Sequence, residues 1–201
     1  ELCIRDSDRY HPNNMVIEFY SGILGGGVQN YFNWTLSKNG QYLNVNQYIT
    51  FFFTDDAISL INNQNNPWFL CLSYNAPHSP FHLAPTDLHS QGTLPDDDIS
   101  IEQNPLPYYF SMIEAMDTEI GRLIESLGND VLNNTTIIFI GDNGTPNQVA
   151  QQYNSRRVKG TMYKGGINVP LVISGNKVTR LGVSDNSLIN LSLIHISEPT
   201  R

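Results

Sequence analysis

The sequence predicts an α/β fold, in which helices cover a sheet. Helical and strand-like segments alternate along the chain, and residues 68–73 and 136–140 are short apolar runs typical of buried strands. The 201 residues, 40% of them hydrophobic, are enough for one sizeable core. No internal repeat or domain boundary interrupts the pattern.

The composition is acidic, with a net charge of −8, a pI of about 4.9 and only 11 Lys plus Arg. Such a chain is a poor partner for nucleic acid or an anionic membrane. No apolar run reaches the roughly 18 residues that a transmembrane helix needs. We therefore predict no nucleic-acid partner and no membrane segment, and any anionic substrate has to be held by local cations or a metal.

The elements are predicted in chain order. Residues 1–50 show no regular pattern, and Thr54 is a plausible N-cap for a short helix that ends near Ile61. Residues 108–127 repeat apolar side chains at helical spacing, with Gly128 as the C-cap. Residues 169–174 form the last predicted strand.

Three remaining features have structural interpretations. Cys3 and Cys71 are the only cysteines, and they form neither a disulfide framework nor a pair with metal-binding spacing. Cys71 lies inside the strand-like run 68–73 and is therefore predicted to be a buried small side chain. His82 and His89 are expected to face solvent. Residues 96–98 are three consecutive aspartates and predict an exposed acidic turn.

Asp142 and Asn143 are the first candidate site residues. They follow the predicted strand 136–140 directly, between Gly141 and Gly144. Ligands of open α/β sheets bind at the carboxyl ends of strands, and carboxylate and amide oxygens suit a hard cation. The alternative is an ordinary Asp-Asn-Gly turn.

His78 is the second candidate. It lies between two prolines at the start of a long loop, 75–107, directly after the predicted strand 68–73. Long loops in compact domains are often functional. The alternative is a loop histidine that only forms local hydrogen bonds.

Lys159 is the third candidate. It precedes Gly160 and lies close to Gly165 and Gly166, so its backbone can approach a ligand closely. The alternative is a lysine on a surface loop.

Three segments together resemble the sulfatase family. Residues 67–80 resemble the strand and Ala-Pro-His-x-Pro turn of that family, and 135–144 its strand leading to Asp-Asn-Gly. Residues 159–170 are similar to its Lys-Gly-[Ser/Thr]-x-x-Glu-Gly-Gly-x-x-Val-Pro block, and 108–127 to the intervening helix. The resemblance spans roughly residues 15–190 and is specific because all the segments occur in the family's order.

The resemblance implies an alkaline-phosphatase-like fold with a central, largely parallel or mixed sheet covered by helices. It implies hydrolysis of a small-molecule or glycan sulfate ester at a divalent cation, Ca²⁺ or Mg²⁺. Asp142 and Asn143 would be metal ligands, and His78 and Lys159 would contact the sulfate and assist the leaving oxygen. Export to the periplasm or the medium is common in the family; substrate identity and oligomeric state are not implied.

The sequence departs from the family pattern in two ways. Lys164 replaces the Glu of the third block. The formylglycine nucleophile arises from Cys-x-Pro-x-Arg (or a Ser variant), which neither Cys3 nor Cys71 matches, and the family's upstream aspartates, Lys and His are not visible. Residues 1–190 are therefore expected to be the carboxyl-side portion of a catalytic domain with part of a site.

The chain by itself is accordingly expected to hydrolyse no aryl sulfate. Residues 191–201 resemble a translated sequencing-adapter tail and are set aside. Two alternative functions stay open: a phosphodiesterase or phosphonate hydrolase of the same superfamily, and a non-catalytic binding protein.

Overall fold

The computed structural model describes residues 13, 17–25, 27–187 and 189. Cys3 and the tail 191–201 lie outside these ranges. The strands are β1 (Ser21–Gly22), β2 (Trp34–Lys38), β3 (Gln41–Val45), β4 (Thr136–Ile140) and β5 (Leu171–Gly175). The α-helices are α1 (Ile49–Asn62), α2 (Asp98–Gln103), α3 (Pro105–Ser126), α4 (Asn129–Asn133) and α5 (Lys164–Ile167), with 3-10 helices at Thr86–Leu88 and Asn147–Val149. No described helix is both long and apolar enough to cross a membrane.

The described strands form two small antiparallel sheets, β1-β2-β3 and β4-β5. β2 and β3 are joined by Asn39 and Gly40, whose φ angles of 46° and 82° suit a tight hairpin turn. The expectation of no regular structure in 1–50 was therefore wrong for this part. β4 has the predicted bounds, whereas β5 begins two residues later than expected. All pairing among the described strands is antiparallel, so parallel pairing is not represented in them.

The core lies between β2, α1 and α3. Its buried members include Tyr31, Trp34, Leu36, Ile49, Phe53 and Met112. α1 begins at Ile49, and Thr54 is in its interior with its hydroxyl donating to the Thr50 carbonyl at 3.0 Å. Thr54 is therefore not an N-cap, because the aromatic run that precedes it packs into the core as helix.

α3 confirms the predicted long helix and begins earlier, at Pro105, a residue suited to the first helical turn. Its C-cap is Leu127, and Gly128 instead precedes α4 as the N-cap of that helix. Glu119 is buried and bonds Arg122, which reaches Asp55 on α1 at 2.8 Å. The hydrogen bond from Arg122 to Glu119 is the main reason that the pKa of Arg122 is raised.

Two predictions of buried strands were wrong. Residues 68–73 form no strand, Phe69 is 93% exposed and Cys71 is exposed. β4 is a strand, but Ile138 and Phe139 are 46% and 37% exposed. An apolar run predicts burial only where neighbours cover both faces, and the described residues supply β4 with one partner strand.

The aspartates at 96–98 are exposed, as the sequence predicted, but they lead into the start of α2 rather than forming a turn. Asp97 caps α2, because its carboxylate accepts a hydrogen bond from the Ser100 backbone N–H at 2.9 Å. That bond lowers the pKa of Asp97.

Candidate functional site

His78 lies in a turn that is tied to the core through its backbone. Its N–H donates to the Asn75 carbonyl at 2.8 Å. The hydroxyl of Tyr31 lies 2.8 Å from the Asn75 carbonyl oxygen and 2.6 Å from that of His78. Tyr31 is buried, and burial raises the pKa of its hydroxyl, so it remains a donor. The turn is therefore held by a core residue more than 40 positions earlier in the chain.

The imidazole of His78 is exposed. Nδ1 lies 2.8 Å from the Ser79 carbonyl oxygen, which can only accept. A hydrogen bond at this contact requires the tautomer with the proton on Nδ1, and that tautomer leaves the lone pair on Nε2.

His82 supports this turn from beneath. It is buried rather than solvent-facing, so that expectation was wrong: its ring packs against the Tyr31 ring at 4.2 Å between centroids, with the two planes tilted by 40°. Nδ1 donates to the Pro80 carbonyl at 3.0 Å, and Nε2 lies 3.2 Å from the Tyr48 hydroxyl. Burial lowers the pKa of His82 and raises the pKa of Tyr48 to about 12. His89 is half-buried and bonds the Ala84 carbonyl, so it does not face solvent freely either.

The loop after β4 packs directly against the segment that carries Lys159. Gly144 N–H donates to the Gly166 carbonyl at 2.9 Å, and Lys159 N–H donates to the Thr145 carbonyl at 2.9 Å. A Cβ at Gly144 would lie 1.9 Å from the Gly165 carbonyl oxygen, so only glycine permits this approach. The glycines of the two sequence motifs therefore bring the Asp142 loop and Lys159 together.

Asp142 and Asn143 are both exposed at the end of β4. The Asp142 carboxylate accepts from the Asn143 backbone N–H at 2.8 Å, and its other oxygen accepts from the Asn143 side-chain amide. A hard cation takes about 6–8 oxygen ligands. The described residues contain no group of three or more His, Cys, Asp or Glu that could hold a metal ion. Asp142 and Asn143 thus fit a hard cation by ligand chemistry but supply only part of a shell, and their role stays a prediction.

His78 and Lys159 line the same open cleft, whose volume is about 480 Å³. Asp142 and Asn143 are not among the residues that line it. Thr145 accepts the hydrogen bond from the Lys159 backbone. Because Asp142 is three residues before Thr145, the Cα atoms of these two residues are at most about 11 Å apart. The structure therefore brings His78 and Lys159 together and places the Asp142 loop beside them.

The charged side chains that line the cleft are cationic. Arg156 and Lys159 line it, and no Asp or Glu is among the described residues that do. Asn147, Gln148 and Ser155 add amide and hydroxyl groups to its wall. The sequence interpretation did not single out Arg156; its only signal was the Arg-Arg pair that closes a polar loop.

Tyr109 on α3 was also missed. Burial raises the pKa of its hydroxyl, and the Thr145 side chain lowers it in part. Its ring meets Phe81 edge-on at 5.8 Å. Tyr109 therefore packs α3 against the segment that follows His78. Lys164 begins α5, is exposed and does not line the cleft, and nothing in the structure explains its replacement of Glu.

Comparisons with known proteins identify the family of the chain. The family profile described as Sulfatase matches residues 10–192. The chain is 26% identical over 172 residues to the uncharacterized sulfatase YdeN of Escherichia coli, covering 82% of this chain and 30% of that protein. It is 25% identical over 197 residues to the N-acetylglucosamine-6-sulfatase of Capra hircus, covering 81% of this chain and 35% of the goat protein.

Solved structures show the same fold. Ps i-CgsB matches with a TM-score of 0.68 and 28% identity over 86% of this chain and 42% of that chain. A structure described as the putative sulfatase yidJ from Bacteroides fragilis matches with a TM-score of 0.57 and 23% identity over 73% of this chain and 36% of that chain. The chain thus spans about a third of the curated relatives' length, and the predicted alkaline-phosphatase-like α/β fold is confirmed as a partial domain. The chain belongs to the sulfatase family.

Proposed function

We propose that this chain is the carboxyl-side portion of a sulfatase catalytic domain and binds a sulfate ester in the His78–Lys159 cleft. The observation that carries the proposal is the cleft itself, which is lined by a lysine and a histidine from distant motifs and by no carboxylate among the described residues. A sulfate monoester carries one negative charge, which suits the Lys159 ammonium.

The residues of the chain suit the chemistry of sulfate ester cleavage. In this proposal the Lys159 ammonium pairs with sulfate oxygens and stabilises the charge that develops there. The protonated Nε2 of His78 donates a proton to the departing oxygen. A Ca²⁺ or Mg²⁺ ion at Asp142 and Asn143 would supply further positive charge near the sulfate. The nucleophile has no match in this sequence, so no step is assigned to it.

A glycan sulfate is the favoured substrate class. One solved relative is described as Ps i-CgsB in complex with k-i-k-neocarrahexaose, and one curated relative as an N-acetylglucosamine-6-sulfatase. The amide and hydroxyl side chains of the cleft wall are suited to sugar hydroxyl groups.

The test is a binding titration of the full chain with N-acetylglucosamine-6-sulfate, followed by NMR of backbone amides and histidine ring protons. Lys159→Gln is expected to weaken binding about tenfold, as loss of a charge-assisted contact does. In the wild type, one histidine ring signal is expected to shift on binding. The absence of that signal from the spectrum of His78→Gln is expected to assign it to His78. Lys177→Gln makes the same charge change on an exposed loop and serves as the control.

The metal prediction has a separate readout. Calcium is expected to raise the unfolding temperature of the chain, and Asp142→Asn is expected to abolish this shift. Equal binding by the wild type, Lys159→Gln and Lys177→Gln would contradict the proposed sulfate site. A calcium shift that survives Asp142→Asn would contradict the metal assignment.

A further inference from the structure

We propose that Arg156 is a specificity-determining residue that binds a second oxyanionic group of the substrate, a sulfate or a carboxylate. This inference rests on the proposed function, because it concerns the same cleft. The cleft would then select sugars that carry an anionic substituent in addition to the sulfate held by His78 and Lys159.

The backbone around Arg156 is held in a defined turn. Its N–H donates to the Asn154 side-chain oxygen at 2.9 Å, and the Arg157 N–H donates to the Asn154 carbonyl at 2.8 Å. The two adjacent arginines lie in different surroundings. Arg156 lines the cleft, whereas Arg157 does not and lies over the Tyr163 ring at 4.6 Å.

The guanidinium of Arg156 is available to a ligand. Within the described part of the chain, the ion pairs involve Lys38, Arg122 and Arg180 but not Arg156. The cleft wall contributes no carboxylate that would neutralise it. Arginine presents a planar pair of donors that matches sulfate and carboxylate oxygens, so an oxyanion is the natural partner.

The charge balance of the cleft indicates a second anion. Arg156 and Lys159 contribute two formal positive charges, whereas one sulfate monoester neutralises only one of them. The chain as a whole carries −8 and repels polyanions at long range. The two cations of the cleft are therefore complementary in charge to a substrate that carries two negative groups.

The experiment compares N-acetylglucosamine, its 6-sulfate and its 3,6-disulfate in titrations of the full chain. The disulfate is expected to bind about tenfold more tightly than the monosulfate, and added salt is expected to reduce that advantage. Arg156→Gln is expected to remove the advantage, so that this variant binds the disulfate and the monosulfate with the same affinity. Arg156→Lys keeps the charge and is expected to retain part of it.

Arg157→Gln is the matched control, because it makes the same change of charge at the adjacent position outside the cleft. If the monosulfate binds in a Lys159-dependent manner but the disulfate gains nothing, the Arg156 inference is overturned and the proposed function stands. If Arg157→Gln removes the advantage as fully as Arg156→Gln, a general charge effect replaces the specific contact. If neither sulfated sugar binds, both proposals fail.

Discussion

Single residues of the core determine the geometry of the cleft. Tyr31 is buried, and its hydroxyl donates to the carbonyls of Asn75 and His78. Its ring packs against the ring of His82. His82 in turn bonds Pro80 on the far side of the turn. A buried aromatic residue therefore holds the backbone of the His78 turn, while the His78 ring contacts the Ser79 carbonyl within the loop.

The burial of His82 predicts a pH dependence of stability. Its pKa in the folded chain lies below its unfolded value of about 6.5, because burial disfavours the charged ring. Between those two values the unfolded state binds more protons, so the free energy of unfolding falls as the pH falls below about 6.5. His82→Phe keeps an aromatic ring against Tyr31 but cannot bind a proton, and it is expected to lessen this fall.

Urea denaturation at about pH 7.5 and about pH 5.5 measures the effect, which cannot exceed about 1.4 kcal/mol per pH unit for one proton. The exposed His78 provides the control variant, His78→Gln, which is expected to keep the pH dependence of the wild type. An unchanged pH dependence in His82→Phe would contradict the assignment.

At the scale of elements, the contact between the β4 loop and the segment after Lys159 holds the site together. Gly144→Ala places a Cβ against the Gly165 carbonyl, a rigid backbone group, so the loops must separate. We expect the free energy of unfolding to fall by about 2–3 kcal/mol. The same variant is expected to weaken sulfate binding, because the Lys159–Thr145 hydrogen bond lies in the same contact.

Gly121→Ala is the control at this scale. Gly121 lies within α3 with no neighbouring atom within 4 Å of an added Cβ. The substitution is expected to stabilise the chain by about 0.5–1 kcal/mol, since alanine favours a helix interior. Equal effects of the two substitutions in chemical denaturation would show that the loop contact does not require glycine.

At the scale of the whole molecule, the β4-β5 sheet has apolar side chains exposed on both faces. Ile138 and Ile173 are paired directly across the two strands and are 46% and 48% exposed, and Phe139 and Val172 form the corresponding pair on the other face. Exposed apolar surface of this kind favours association. The chain is therefore expected to self-associate with rising concentration.

Replacing Ile138 and Ile173 together by Thr tests this expectation. Threonine keeps the β-branched shape that suits a strand while lowering the apolar area. Sedimentation velocity is expected to show association weakened severalfold. The double replacement of Leu181 and Val183 by Thr, at exposed positions outside the sheet, is the control. An equal reduction in both variants would show that the sheet face is not the contact.

Local sequence was sufficient for β4, for α3 and for the family. The apolar run 136–140 and the helical spacing within α3 predicted those elements because both depend on neighbouring residues in the chain. The order of three motifs identified the sulfatase family, which the family comparison confirms. The placement of His78, Lys159 and the Asp142 loop follows from those motifs, although their roles stay predictions.

Only the tertiary structure decided which groups are buried and which face the cleft. His82 and Thr54 are buried because tyrosines from distant positions contact them, namely Tyr31, Tyr48 and Tyr74. The apolar residues of 68–73 and β4 stay partly exposed because the described residues do not cover them. Arg156 and Arg157 are alike in sequence, yet one lines the cleft and the other covers a tyrosine ring. Burial and side-chain direction depend on contacts between residues far apart in the chain, and no local pattern records those contacts.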